Sequence, residues 1–486
     1  MRNIKIIFIL LLFYSCNTPL FTPEEDFLTP FELTNGNGTT SYEETIAFYK
    51  KLATNYGSIS MKTMGETDSG IPLYLVIFNS DGTFDLNRIR KNKMIVLIAN
   101  GVNADESEGI DATMQLMRNL AQKQVEIPEN TVVVTIPIMN YLGLMEKESL
   151  FKNHINTFIN NDLSNDFIEN KSLNTRSFVD IFHQLNPHIF IDTRSLQGKD
   201  LPNAIFYQTI FPEKLRKIKY YLKDNFLSQL SDSLRIANKN PIDSLSQSRE
   251  LLPYPTERQS GISSSIGYVS LWNTIGLYIA TKKESPYKNR VEEMYNALKC
   301  IVLLTNSHKE LIQNLQQLDN KEILQQREYI LSYVSQPIQD SLNIHPLDKR
   351  NYIPQETISI PKTYIIPQLF TKVIDNFKRN SIEMDRFEKD SLISVNSYIL
   401  KISKDSLSLL NYKDIQHKLT LKKQKIAVRK GDIIINTEQK GRKYLIETLE
   451  PHADNNFMKE NMLFLLSSPK DSIWVYPVFS IEDNID

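Results

Sequence analysis

Two short stretches hold most of the side chains that could do chemistry. Asn100-Gly101-Val102-Asn103-Ala104-Asp105-Glu106-Ser107-Glu108-Gly109-Ile110-Asp111 places a cluster of carboxylates directly after the apolar run Met94–Ala99. Asn186-Pro187-His188-Ile189-Phe190-Ile191-Asp192-Thr193-Arg194 ends an apolar run on an acid and an arginine. Such carboxylates can ligate a cation, carry a proton or pair with a guanidinium. They also suit a helix start with no further duty, because the macrodipole favours negative charge there. That plainer reading applies first to Asp105 and Glu108. A metal centre built from Asp105, Glu106 and either His183 or His188 is a third arrangement. His188, after Pro187 at a strand entrance, reads as a surface residue, and His183, on an amphipathic helix, as packed or hydrogen-bonded. The chain has seven histidines and two cysteines, Cys16 and Cys300. That count excludes a disulfide scaffold and a cysteine-rich zinc module. Cys300, beside Leu298 and Ile301, reads as a buried thiol.

The elements that must position these groups follow from the pattern of apolar residues. Ser41-Tyr42-Glu43-Glu44 matches a capping box, and Tyr42, Ile46, Tyr49 and Ala53 then share one helical face. Ile71–Phe78, Met94–Ala99, Val132–Ile138, Ile189–Asp192 and Ile275–Thr281 have strand character. Ile110–Gln122, Thr175–Gln184 and a stretch from Tyr287 are helical. This alternation predicts an α/β sheet covered on both faces. The region 306–339, rich in Gln, Leu and Glu, reads as helix. From Ile353 onward Pro354, Pro361 and Pro367 interrupt the pattern. Ile426–Val428, a turn at Lys430-Gly431-Asp432, and Ile433–Ile435 read as a β-hairpin.

At 486 residues the chain is long enough for two or three domains of roughly 150 residues each. Lys and Arg number 56 and Asp and Glu 57, a net charge of −1. That balance gives no electrostatic reason to expect a nucleic-acid partner. The N-terminus reads as a secretory signal: Arg2 and Lys5 precede the uncharged run Ile6–Tyr14, too short to span a bilayer. The run ends at Ser15-Cys16 and resembles a bacterial lipoprotein signal, in which the cysteine carries the lipid; ordinary secretion with Cys16 incidental is the other reading. Residues 16–39, with Pro19, Pro23 and Pro30 and the run Asn35-Gly36-Asn37-Gly38, read as a tether. The expected organisation is a signal at 1–15, the tether at 16–39, an α/β domain at 40–340 and a smaller β-rich domain at 350–486. The expected location is the cell envelope, across the inner membrane, in the periplasm or at the outer membrane.

In order and spacing, these segments resemble the carboxypeptidase A-type zinc metallocarboxypeptidases. Asn100–Asp111 is similar to their N-G-I-H-P-G-E-x-x-G segment, and Asn186–Arg194 to their N-P-D-x-x-I-D-x-H strand. Gly267 to Leu277, then Ser285-Pro286-Tyr287, resemble the strand carrying their catalytic glutamate and the helix start after it. Arg429–Asp432 and Tyr444–Pro451 look like the appendage of a secreted Bacteroidetes-type branch. The resemblance implies a mixed parallel and antiparallel eight-stranded sheet with helices on both faces. It also implies a zinc ion held by two imidazoles and a carboxylate, a glutamate base, and an Asn-Arg pair gripping the substrate's C-terminal carboxylate.

Position by position, the chain departs from that pattern. The histidine ligand positions hold Asn103 and Arg194, and only the carboxylate position keeps its type, as Glu106. The general-base position is Ala280. The substrate-gripping pair falls on Ser164 and Asn165, in Asn160-Asn161-Asp162-Leu163-Ser164-Asn165-Asp166-Phe167. An amide is a poor zinc ligand, and a guanidinium offers no lone pair and repels a dication. Arg194 could instead pair with Glu106 in bidentate fashion. The reading is therefore a catalytically inactive relative with no cofactor expected, where the family would hold zinc. Its cleft would bind a peptide or a cell-wall peptide stem. An active metallocarboxypeptidase and a structural or assembly lipoprotein are the alternatives.

Overall fold

The computed structural model describes residues 27–103, 106–148, 163–199, 201, 204–210, 217–237, 250–253, 261–337, 350–403, 407–408, 410–467 and 472–482. The signal segment, Cys16 and Asp105 lie outside the described residues.

The first half of the chain builds a mixed sheet from β1 (Ile59–Thr63), β2 (Tyr74–Phe78), β3 (Met94–Ala99), β4 (Thr131–Ile136), β5 (Ile189–Leu196), β6 (Ala204–Gln208), β7 (Glu250–Pro253) and β8 (Ile275–Lys282). Their order across the sheet is β1-β2-β4-β3-β5-β8-β6-β7. The central strands β4, β3, β5 and β8 are parallel, whereas β1 on β2, β2 on β4 and β6 on β8 are antiparallel. Each residue of β3 is buried, which explains its unbroken apolar sequence: strands covered on both faces need no polar alternation. Ile95, Leu97 and Ala99 enter one core and Met94, Val96 and Ile98 the other, as the two-residue period requires. On the first face lie α3 (Leu86–Asn92), α6 (Leu173–Leu185) and α9 (Ser265–Ser270). On the second lie α1 (Pro30–Leu33), α2 (Tyr42–Asn55), α4 (Glu108–Ala121), α8 (Leu227–Ala237) and α10 (Tyr287–Ser307).

Part of the expected tether is folded. Phe27 and Phe31 are buried, and Thr29 caps α1 through a capping box with Glu32. Arg118 of α4 donates to Phe27 O and to both oxygens of Glu32. Pro30 opens α1, and Asn35 and Gly36 adopt positive φ in the turn after it.

The helical reading of 306–339 holds only to Gln325. After α11 (Lys309–Gln325), β9 (Glu328–Pro337) forms an antiparallel hairpin with β10 (Arg350–Ser359). Its tyrosines and aliphatics suit a strand, while the Glu, Gln and Leu of the preceding helix do not mark where the periodicity stops. A boundary at 340–350 would therefore divide the two strands of one hairpin.

The second sheet contains β11 (Thr363–Ile366), β12 (Asp385–Arg386), β13 (Ser391–Lys401), β14 (Thr420–Val428), β15 (Ile433–Asn436), β16 (Leu466–Ser467) and β17 (Ile473–Ile481). The expected β14–β15 hairpin does not form. The turn is present, with Asp432 N–H donating to Arg429 O, but β14 pairs with β13 while β15 pairs with β11 and β12. Residues 387–390 make the matching crossing from β12 to β13, so the sheet curls until its two ends meet at Phe387 and Gly431. Local turn chemistry alone cannot distinguish a hairpin from a step between the ends of a curled sheet.

Helices α12 (Thr371–Arg379), α13 (Tyr412–Lys418) and α14 (Arg442–Leu449) accompany this sheet. Tyr444 and Phe377 enter the same core as Phe178, Tyr268 and Trp272, so the C-terminal part shares its interior with the α6–α9 layer. Lys443 Nζ donates to Ser270 O at 3.0 Å, and Arg442 Nη1 donates to the last carbonyls of α11, Ile323 O and Leu324 O, at 2.7 Å.

Candidate functional site

The connection of β3 runs through α4 to β4 on one side, while β5 continues to β8 on the other. Adjacent parallel strands whose connections diverge leave a crevice at their carboxyl ends, the usual ligand position in open α/β sheets. The loop after β3 and the last residues of β5 meet there.

The loop is fixed by Asn100. Its Nδ2 donates to Thr135 Oγ1 at 3.1 Å, and its Oδ1 accepts from Thr113 Oγ1 at 3.2 Å and Thr193 Oγ1 at 2.9 Å. One side chain thereby ties the loop to β4, α4 and β5. Gly109 lets α4 approach β5 this closely: a Cβ there would lie 2.0 Å from Thr193 Oγ1. Behind it, Glu108 pairs with Arg290 at 3.0 Å and accepts from Thr281 Oγ1 at 3.0 Å. Asp111 accepts from Thr40 and Tyr287, and burial pushes its carboxyl up to about 6.

Period two on β5 puts Asp192 and Arg194 on the α9 face, with Thr193 on the α4 face. Glu106, Asp192 and Arg194 are 6 %, 0 % and 5 % exposed, so their charges act with little help from water. Arg194 Nη2 donates to Asp192 Oδ2 at 2.8 Å, and Nε lies 2.8 Å from Oδ1, although its N–H is not aimed along that contact. Ser265 Oγ also donates to Asp192. Arg194 Nη1 meets Glu106 Oε2 at 3.5 Å, and the guanidinium lies 4.8 Å from the centre of the Tyr278 ring. The expected bidentate pairing with Glu106 is thus replaced by a fork on Asp192, which shares the face of β5 at two residues' distance. Glu106 Oε1 instead accepts from Ser195 N–H and from Asn103 Nδ2, both at 3.2 Å.

One buried cation faces two buried carboxylates. Burial opposes the charge on Arg194, but Asp192 and Glu106 outweigh it and hold its pKa well above the ordinary value. Burial pushes Glu106 up to about 7 against the pull of Arg194, with Asp192 and Glu108 adding repulsion. Asp192 is also raised by burial, with Arg194 and Ser265 opposing. Burial thus favours the protonated form of Glu106 at pH values where a free carboxyl would be fully ionised.

The other expected positions border this cluster. Ser164 Oγ donates to Asn103 Oδ1 at 3.0 Å, so Ser164, Asn103, Glu106 and Arg194 form a connected polar chain. Asn165 is exposed and accepts only a long 3.5 Å contact from Ser263 Oγ. Ala280 stands in register with Arg194 on β8 and packs with Leu196 and Phe206, giving this wall an apolar surface. Gln208, in register with Tyr278, is a site residue that sequence reading missed. Its buried Oε1 has no hydrogen-bond partner among the described residues, and the β6–β8 pairing brings it to this face.

The histidines are elsewhere. His188 Nδ1 accepts from Ile95 N–H at 3.1 Å at the opposite end of β5, so it supports a strand entrance and is half-buried rather than a surface residue. His183 Nε2 lies 2.9 Å from Tyr268 OH, and its ring packs edge-on to Trp272. Burial lowers both imidazoles to about 4. Among the described residues no three His, Cys, Asp or Glu side chains converge as a metal site. The donor set around Glu106 does not fit zinc, because the guanidinium of Arg194 stands where lone pairs would be needed.

No family model matches the chain, and no curated protein matches it. Among solved structures it is similar to carboxypeptidase A from Helicoverpa armigera, with 13% identity over 55% of this chain and 74% of that one, TM-score 0.44. A metallo-carboxypeptidase from Burkholderia cenocepacia matches at 14% identity over 55% and 70%, TM-score 0.41. One from Pseudomonas aeruginosa, in complex with (2-guanidinoethylmercapto)succinic acid, matches at 12% identity over 55% and 70%, TM-score 0.38.

Proposed function

We propose that this protein is a zinc-carboxypeptidase-like lipoprotein of the cell envelope that does not hydrolyse peptides and uses its crevice for binding. The observation that carries this reading is the guanidinium of Arg194 held between Asp192 and Glu106. A permanent cation there opposes a dication and contacts Glu106, the one ligand-position carboxylate retained from the motif. Ala280 offers no group to move a proton, and the Glu106 carboxyl is enclosed beside Arg194 and Asn103.

The ligand we propose is a peptide or a cell-wall peptide stem. Ser164 and Asn165 at the rim and the Gln208 carbonyl, which has no partner among the described residues, supply polar groups suited to amides rather than to a substrate carboxylate. The chain division we propose is a signal at 1–15, lipid on Cys16, an α/β unit followed by the C-terminal sheet, and membrane attachment through that lipid.

Metal analysis and a peptide-release assay on the purified full chain test the reading. The expected result is substoichiometric zinc and no release of C-terminal residues. Stoichiometric zinc with chelator-sensitive release would establish the active metallocarboxypeptidase instead.

A further inference from the structure

At the end of β5 remote from Arg194, a cavity of 280 Å³ opens between α3, the turn before β5, α11 and the segment before α14. Arg90, Lys91 and Lys440 line it, and among the described residues no carboxylate does. The whole chain carries almost equal numbers of acids and bases, so three cations around one concavity without an acid depart from its average surface.

The cations are positioned but not neutralised. Arg90 Nη1 donates to Gln184 O at 3.0 Å and Nη2 to Asn87 Oδ1 at 2.5 Å, while Lys440 Nζ donates to Asn186 Oδ1. All three acceptors are uncharged. Desolvation, with a smaller contribution from the nearby Arg90, lowers the pKa of Lys440. Neutral donors face the same space. Because His188 Nδ1 accepts from Ile95, its proton resides on Nε2, on the cavity side near Gln313. Asn320 Oδ1 accepts from Asn273, which leaves the Asn320 amide hydrogens available.

We propose that this cavity binds a small oxyanion of the phosphate class, held by Arg90, Lys91 and Lys440. A planar carboxylate is satisfied by a single guanidinium fork, whereas a tetrahedral dianion accepts cations and amide donors arriving from several sides. Arg90 belongs to the first sheet's helical layer and Lys440 to the C-terminal part. A bound anion would therefore replace their repulsion with a shared partner and clamp the two parts together.

Calorimetric titration of the full chain with inorganic phosphate, at constant ionic strength, tests this. Glycerol phosphate serves as the monoester arm and acetate and chloride as comparators. The expected result is saturable binding of one phosphate with a rise in melting temperature. The Arg90→Gln/Lys440→Gln double variant should bind at least about tenfold more weakly. Its melting temperature without ligand should stay close to that of the parent, since the removed repulsion offsets the lost hydrogen bonds of Arg90 and Lys440. Lys91→Gln, at an exposed position, should also weaken binding and serves if the double variant does not fold. Tighter binding of either phosphate or glycerol phosphate supports the site and identifies the source of the ligand. An equal response to acetate or chloride, no phosphate binding, or undiminished binding in the variants would overturn it.

Discussion

Arg194 directs its fork at Asp192, two residues back on the same strand, and reaches Glu106 with a single nitrogen at 3.5 Å. The short partner is local and the long one arrives from the loop after β3. The pairing within β5 is set by strand geometry, whereas the contact with Glu106 depends on where Asn100 and Gly109 hold the loop and α4.

Arg194→Ala should lower stability by about 3–5 kcal/mol, because it leaves the buried Asp192 carboxylate without its counter-charge. Chemical denaturation at neutral pH measures this. An unchanged midpoint would mean that the three side chains do not share a buried site in solution.

Stability should fall with rising pH through the titration of Glu106. Its pKa is about 7 in the folded chain against 4.5 for the free side chain. The folded state therefore binds the extra proton, and its contribution is complete below 4.5 and lost between 4.5 and 7. Glu106→Gln mimics the protonated form, so it should match the parent near pH 4.5 and exceed it above pH 7, by up to a few kcal/mol. Parallel pH–stability curves for the two proteins would contradict the raised pKa.

Replacing both non-ligating positions should create a metal site. In Asn103→His/Arg194→His, two imidazoles would flank Glu106, giving the donor set zinc prefers. The double variant should be less stable than the parent without metal and regain stability with zinc, and cobalt substitution should give a tetrahedral absorption spectrum. Failure to bind either ion would show that Asn103 and Arg194 do not point at a common centre.

Phe31→Ala should destabilise the fold by about 3–5 kcal/mol, the usual cost of emptying a buried aromatic site. A free tether would lose nothing. Thermal melts of the variant beside Arg118→Ala, which removes the partner of Glu32, distinguish the two cases.

Much of the α/β architecture can be read from the chain because its signals are local. The buried runs Met94–Ala99 and Ile189–Asp192 need no partner to be recognised as strands, and Ser41 with Glu44 marks a helix start by itself. The residue types at Asn103, Glu106, Arg194 and Ala280 are likewise plain in the sequence. Tertiary structure decided the rest. Whether Arg194 also reaches Glu106 depends on how the loop after β3 is held against β5. The side-chain carbonyl of Gln208 reaches the same wall through an antiparallel strand. The turn at 430–432 joins strands from the two ends of a curled sheet, and Phe31 is buried because α1 docks on the second face of the sheet, against Tyr287 of α10. Residue types and periodicity act over a few positions along the chain, whereas charge pairing and strand order are settled by groups that are distant in sequence and close in space.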